Sequence, residues 1–80
     1  MYYVYVLKSR STGKYYTGQT NDLHRRLQQH DTNQCKATRG RGPFDLVYVE
    51  EFETRSEAIR REAYFKQGKG RDELQRLIGS

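Results

Sequence analysis

Eighty residues make one small domain with a core of marginal size, and the single cysteine, Cys35, excludes a disulfide as compensation. Fifteen Lys and Arg against ten Asp and Glu give a net charge of +5, which on so small a surface favours a polyanionic partner. The longest apolar run, Met1 to Leu7 with tyrosine counted, spans seven residues, and no charged-then-apolar leader precedes a small-residue cleavage site, so the expectation is a soluble cytoplasmic protein with no membrane partner.

The first predicted element, "YYVYVLKS", is rich in β-branched and aromatic residues and apolar on both faces, Tyr3, Tyr5 and Leu7 against Tyr2, Val4 and Val6. That pattern predicts a central strand. "RSTG" turns the chain, with Gly13 free to take positive φ, and "KYYTG" returns as a second strand. A helix follows from about Asn21 to His30. The stretch from Asp31 to Pro43 is polar, basic and glycine-bearing, a loop of a length that usually has a function. "FDLVYVEEF" predicts a third strand. "TRSE" is a capping box, Thr54 with Glu57, opening a helix to about Gln67; "GKGR" is expected to break it before a short final helix, "DELQRLIG", closed by Gly79. The order ββαβαα fits an α+β domain of mixed α/β content, a three-stranded antiparallel sheet flanked by helices.

Two helices carry charge where apolar residues are expected. In the first, Leu23 and Leu27 define the apolar stripe, and at 100° per residue Arg26 and His30 fall on it. In the second, Ala58, Ile59, Ala63 and Phe65 define the stripe and Glu62 falls inside it. Desolvating an unpaired ion costs several kcal/mol, so either Arg26 and Glu62 pair with each other or sit at the stripe margin with their heads in water, or a cleft holds an anion and a cation in place. A guanidinium suits a phosphate through parallel hydrogen bonds, and a lone carboxylate suits a magnesium ion whose other ligands are waters and a phosphate oxygen. Tyr3 and Tyr5 share one face of the first strand, and Tyr16 lies in the returning strand close to Gly18, where a missing side chain allows close approach. Tyr2, Tyr15, Tyr48 and Tyr64 read as half-buried sheet or helix residues with wet hydroxyls, and His24 as plain surface.

These spacings resemble the GIY-YIG endonuclease domain, in its small stand-alone bacterial form, over about Tyr2 to Lys66 and within a single domain of residues 1–80. The first motif stands here as Tyr3-Val4-Tyr5 and the second as Tyr16-Thr17-Gly18, with ten residues between Tyr5 and Tyr16; Arg26 lies ten beyond Tyr16, and Glu62 occurs in "RREAYFK". The first motif's glycine and isoleucine are replaced by Tyr3 and Val4, and no asparagine follows Asn33, where larger members carry a late one.

The resemblance implies the GIY-YIG fold and hydrolysis of phosphodiester bonds with one Mg²⁺ or Mn²⁺ held by Glu62. It implies Tyr5, Tyr16, Arg26, His30 and Glu62 as catalytic residues. Both motif tyrosines are candidates for general base; the reading leans to Tyr5, with Tyr16 orienting water or phosphate and His30 shuttling a proton or donating to phosphate. Tyr3, Lys14, Lys36, Arg39 and Arg41 are the candidate nucleic-acid contacts. A shallow tyrosine-lined surface favours single-stranded or branched DNA over intact duplex, with RNA as the other possible polymer. The competing class is a non-catalytic module that binds single strands by stacking, which would give Glu62 no reason to interrupt an apolar stripe.

Overall fold

A computed structural model describes residues 1–31, 40 and 42–79. Its elements run β1 (Tyr2–Ser9), β2 (Tyr15–Thr20), α1 (Leu23–Asp31), β3 (Phe44–Phe52), α2 (Arg55–Phe65) and α3 (Gly68–Ile78). The sheet order is β2-β1-β3, both pairings antiparallel. The strand that is apolar on both faces is therefore the central one, and Val4, Tyr5, Val6 and Leu7 are all buried.

Local chemistry sets the boundaries. The β1–β2 hairpin closes through Gly13, at φ 73°, whose N–H donates to Ser9 O at 2.9 Å. Asp22 caps α1, its Oδ1 accepting from Arg25 N at 3.1 Å. Thr54 caps α2, accepting from Glu57 N, and its hydroxyl donates to Glu57 Oε1 at 2.8 Å. Gly79, at φ 82°, ends α3.

The two faces of the sheet are covered differently. Val4 and Val6 pack with Ala58 and Phe65 of α2 and Leu74 of α3. A bulge in β3, where Val6 pairs with Tyr48 and Leu7 with Leu46, turns both Val47 and Tyr48 toward this core. Arg61 ties the layer together: it donates to Glu50 of β3 at 2.8 Å, forms an ion pair with Glu73 of α3 at 3.6 Å, and its guanidinium lies 4.3 Å from the Phe65 ring centroid. On the opposite face, Tyr5 meets α1 through His30, and His30 meets Phe44 of β3.

Two expectations are corrected. The "GKGR" segment does not separate two helices by a break of its own length; α3 begins at Gly68, directly after its cap Gln67. Position 70, inside α3, requires glycine at the α2–α3 corner, since a Cβ there would overlap the Tyr64 carbonyl. The inward line of α2 is Ala58, Arg61, Glu62 and Phe65, whereas Ile59 is 46% exposed and Ala63 is exposed. Helical spacing allowed both lines; the position of Phe65, fully buried on Val4 and Val6, selects the second.

Candidate active site

A cleft of about 780 Å³ opens along the β2 edge of the sheet, between the helices on its two faces. Strand β1 contributes Tyr5 to it, β2 contributes Tyr16 and Gly18, α1 contributes Arg26 and His30, and α2 contributes Glu62. These six positions, spread over 58 residues of chain from Tyr5 to Glu62, thus meet in one cavity.

The centre of the site is the Tyr5 hydroxyl. Its ring is only 2% exposed, and it fits because β1 and β2 place Tyr5 opposite Gly18. A Cβ at Gly18 would lie 2.5 Å from Tyr5 Oη and 2.7 Å from Cζ, so the second motif's glycine is the space the first motif's tyrosine occupies. Arg26 Nε donates to Tyr5 Oη at 3.1 Å, and Tyr5 Oη lies 2.9 Å from His30 Nε2. We assign His30 the tautomer with a bare Nε2: Tyr5 already accepts from Arg26, and its own proton then has an acceptor. Burial pushes His30 below its ordinary imidazole value, Arg26 pushes the same way, and Asp31 opposes them more weakly. A neutral imidazole at pH 7 follows.

The charges on the helix faces are accounted for singly. Arg26 also donates from Nη1 to Gln29 Oε1 at 3.1 Å, while Glu62 pairs with Lys66 at 3.6 Å. The pairing of Arg26 with Glu62 is replaced by these separate partnerships.

Tyr16 is half-buried and packs edge-to-face on Phe44 with centroids 5.4 Å apart. Lys14 also lines the cleft. Tyr3 shares Tyr5's face of β1 but lies outside the cleft lining, paired with Thr20 and Glu51. Lys36, Arg39 and Arg41, with Cys35, lie outside the described residues. Tyr48 differs from the expectation of a wet hydroxyl, whereas Tyr64 keeps one. Burial and the Glu50 carboxylate, 2.5 Å from its hydroxyl, push Tyr48 up to about 12, and the Glu73 carboxylate raises Tyr64. His24 is exposed, as expected, and meets Gln28.

Lys66 and Arg71, which the sequence does not single out, line the cleft, and so does Tyr15, expected only as a half-buried sheet residue. Lys66 and Arg71 sit where the chain was expected to leave α2, so only the α2–α3 corner reveals that they face inward.

The residues match the catalytic-domain model of the GIY-YIG family across residues 1–75. The chain belongs to the GIY-YIG family. A UPF0213 protein of Clostridium perfringens is 49% identical over all of this chain and 85% of its own length, and one of Oceanobacillus iheyensis is 49% identical over 82% of this chain and 77% of its own. Among solved structures, the solution structure of a UPF0213 protein from Bacillus halodurans superposes with a TM-score of 0.61 at 39% identity, over all of this chain and 88% of that one. A GIY-YIG catalytic domain implies nuclease activity on nucleic acid and dependence, in general, on a divalent metal.

The donor set of the cleft fits such a metal. Among the described residues no group of three or more His, Cys, Asp or Glu is gathered to enclose an ion. A caged zinc or calcium site would need one, whereas Mg²⁺ binds through one or two carboxylates and completes its shell with waters and phosphate oxygens. Glu62, its side chain 24% exposed on the cleft wall, offers one carboxylate of the kind such an ion would need. No helix of the described chain is long and apolar enough to cross a membrane.

Proposed function

We propose that this chain is a divalent-metal-dependent endonuclease that hydrolyses phosphodiester bonds in DNA, preferring single-stranded or branched substrates. Tyr5 is its general base and Glu62 the carboxylate that holds one Mg²⁺ or Mn²⁺. The observation that carries the reading is the Tyr5 hydroxyl held between Arg26 Nε and His30 Nε2. A phenol with an ordinary pKa of about 10 is a poor base near neutrality unless a cation stabilises the phenolate and a second base takes its proton. Arg26 supplies the first and neutral His30 the second.

Tyr5 then accepts a proton from the attacking water as it passes its own to His30 Nε2. The water oxygen bonds to phosphorus, the bond from phosphorus to the leaving ester oxygen breaks, and that oxygen takes up a proton from solvent. Arg26 offsets the negative charge that accumulates beside the phenolate. A divalent ion at Glu62, when bound, supplies charge neutralisation at the phosphate and the leaving oxygen. Tyr16, on the same wall, orients water or phosphate. Tyr15 and Tyr16, half-buried in the cleft lining, support the preference for unpaired strands, because aromatic rings in such a cleft can stack single bases. Lys14 supports the backbone contact, and a cytoplasmic location suits the substrate.

The test is cleavage of end-labelled single-stranded, branched and duplex DNA and of RNA, each with Mg²⁺, Mn²⁺ or EDTA. Metal-dependent products are expected, absent with Glu62→Gln and reduced by at least about 100-fold with Tyr5→Phe, the usual scale of a lost general base. Retention of a labelled strand with no cutting in any metal would replace the nuclease by a single-strand binding module.

A further inference from the structure

The cleft is unequally charged. Among the described residues lining it, Glu62 is the sole carboxylate, facing Lys14, Arg26, Lys66 and Arg71. A divalent cation entering the free protein therefore meets four cationic side chains and one anion. The single carboxylate is itself engaged: Lys66 Nζ lies 3.6 Å from Glu62 Oε2, with the Lys66 side chain 56% exposed and that of Glu62 24% exposed. At that length, and half in water, the pair is weak enough for a stronger cation to displace.

Lys66 is built to move between partners. It is the C-cap of α2, its backbone N–H held by Ala63 O and Tyr64 O, so its stem starts from a fixed point. The flexible four-carbon chain beyond lets the ammonium reach either Glu62 or a phosphate in the same cleft. We infer that Lys66 is a positioning residue that holds Glu62 in reserve: its ammonium occupies the carboxylate in the free protein, yields it to the divalent ion when nucleic-acid phosphate enters, and turns to that phosphate. Phosphate brings the negative charge the cleft lacks, so metal and nucleic acid bind with positive cooperativity, and the coupling is reciprocal. The inference rests on the metal-binding role proposed for Glu62.

Its test is the Mn²⁺ dissociation constant, measured by paramagnetic resonance of free Mn²⁺, for the wild-type chain and for Lys66→Met, Lys66→Arg and Glu62→Gln. Each is measured alone and with a saturating phosphorothioate single strand that resists cleavage, the strand's own Mn²⁺ uptake being subtracted. Without the strand, Lys66→Met is expected to bind Mn²⁺ about three- to tenfold more tightly, the effect of removing one charge a few ångströms from a divalent ion in a wet site. Lys66→Arg, which keeps the charge, stays at the wild-type affinity. With the strand, the gap between wild type and Lys66→Met narrows. Equal Mn²⁺ affinity of wild type and Lys66→Met in the free protein overturns the inference, because a lysine that only completes the end of α2 would give that result. Unchanged affinity of Glu62→Gln with the strand present overturns the metal-binding role of Glu62 itself.

Discussion

Gly18 shows how a residue with no side chain sets the chemistry of one that has a large one. Tyr5 is buried, held by Arg26 and His30, and fills the space a Cβ at Gly18 would need. Gly18→Ala therefore forces the phenol away from both partners, and we expect cleavage to fall as far as in Tyr5→Phe. The accompanying stability loss is about 1–3 kcal/mol, the usual cost of overpacking. Parallel cleavage assays and urea melts check it; a folded Gly18→Ala chain that cuts at the wild-type rate would separate Tyr5 from the chemistry. His30 makes a second expectation at this scale. Its folded value lies below the ordinary 6.5, chiefly through burial and then Arg26, so between those two values the unfolded chain binds a proton that the folded chain does not. Stability is thus unaffected above about pH 6.5 and falls as pH drops from there toward the folded value. His30→Gln should flatten that slope in urea melts at pH 7.5 and 5.5. In cleavage assays the wild type should lose activity over the acid side of the same range, as Nε2 gains a proton and stops accepting from Tyr5.

The elements were legible in the sequence to unequal degrees, for physical reasons. In α1 the line Leu23, Arg26, Leu27, His30 is the observed inward line, because two leucines four apart leave a short helix a single choice of face. In α2 the alanines and Ile59 offered a rival face, and the sequence reading took it; the buried Phe65 and the Arg61 network, which need partners from β3 and α3, decide otherwise. Glu62 faces inward on either choice, which is why the site was readable although the stripe was not. The α2–α3 corner was misread because Gly68 and Gly70 look like a break. Gly70 is instead the close contact that lets α3 start beneath the end of α2, and Lys66 and Arg71, on either side of it, both line the cleft. Gly70→Ala should push the two helices apart and cost about 1–3 kcal/mol. In a domain of this size each kcal/mol lowers the melting temperature by about 4–8 °C. Calorimetry reads that loss, and strand binding should weaken with it as the two cations shift; an unchanged melting temperature would mean that the corner opens without strain.

Across the whole molecule, charge is distributed by edge. The β2 edge carries the cleft with Lys14, Arg26, Lys66 and Arg71, while β3, at the far edge, carries Asp45 and Glu50, paired with Arg10 and Arg61, and Glu51, with Glu53 just beyond it. The net charge of +5 therefore understates the positive field at the cleft, and a polyanion approaching the domain is turned toward the β2 edge. Each phosphate neutralised on a single strand contributes about −0.7 to the slope of log K against log salt. If the four cleft cations each take one phosphate, binding of an uncleaved single strand should show a slope of about −3. Engagement of Lys36, Arg39 and Arg41 as well would steepen it to about −5. Lys14→Gln should reduce the slope by about 0.7, and Glu51→Gln, at the opposite edge, should leave it unaltered. A slope insensitive to Lys14 but sensitive to Glu51 would place the strand on the wrong edge of the sheet, away from Tyr5 and Glu62. The same titration thus decides whether charge delivers nucleic acid to the cleft in which the tyrosine, arginine and histidine meet.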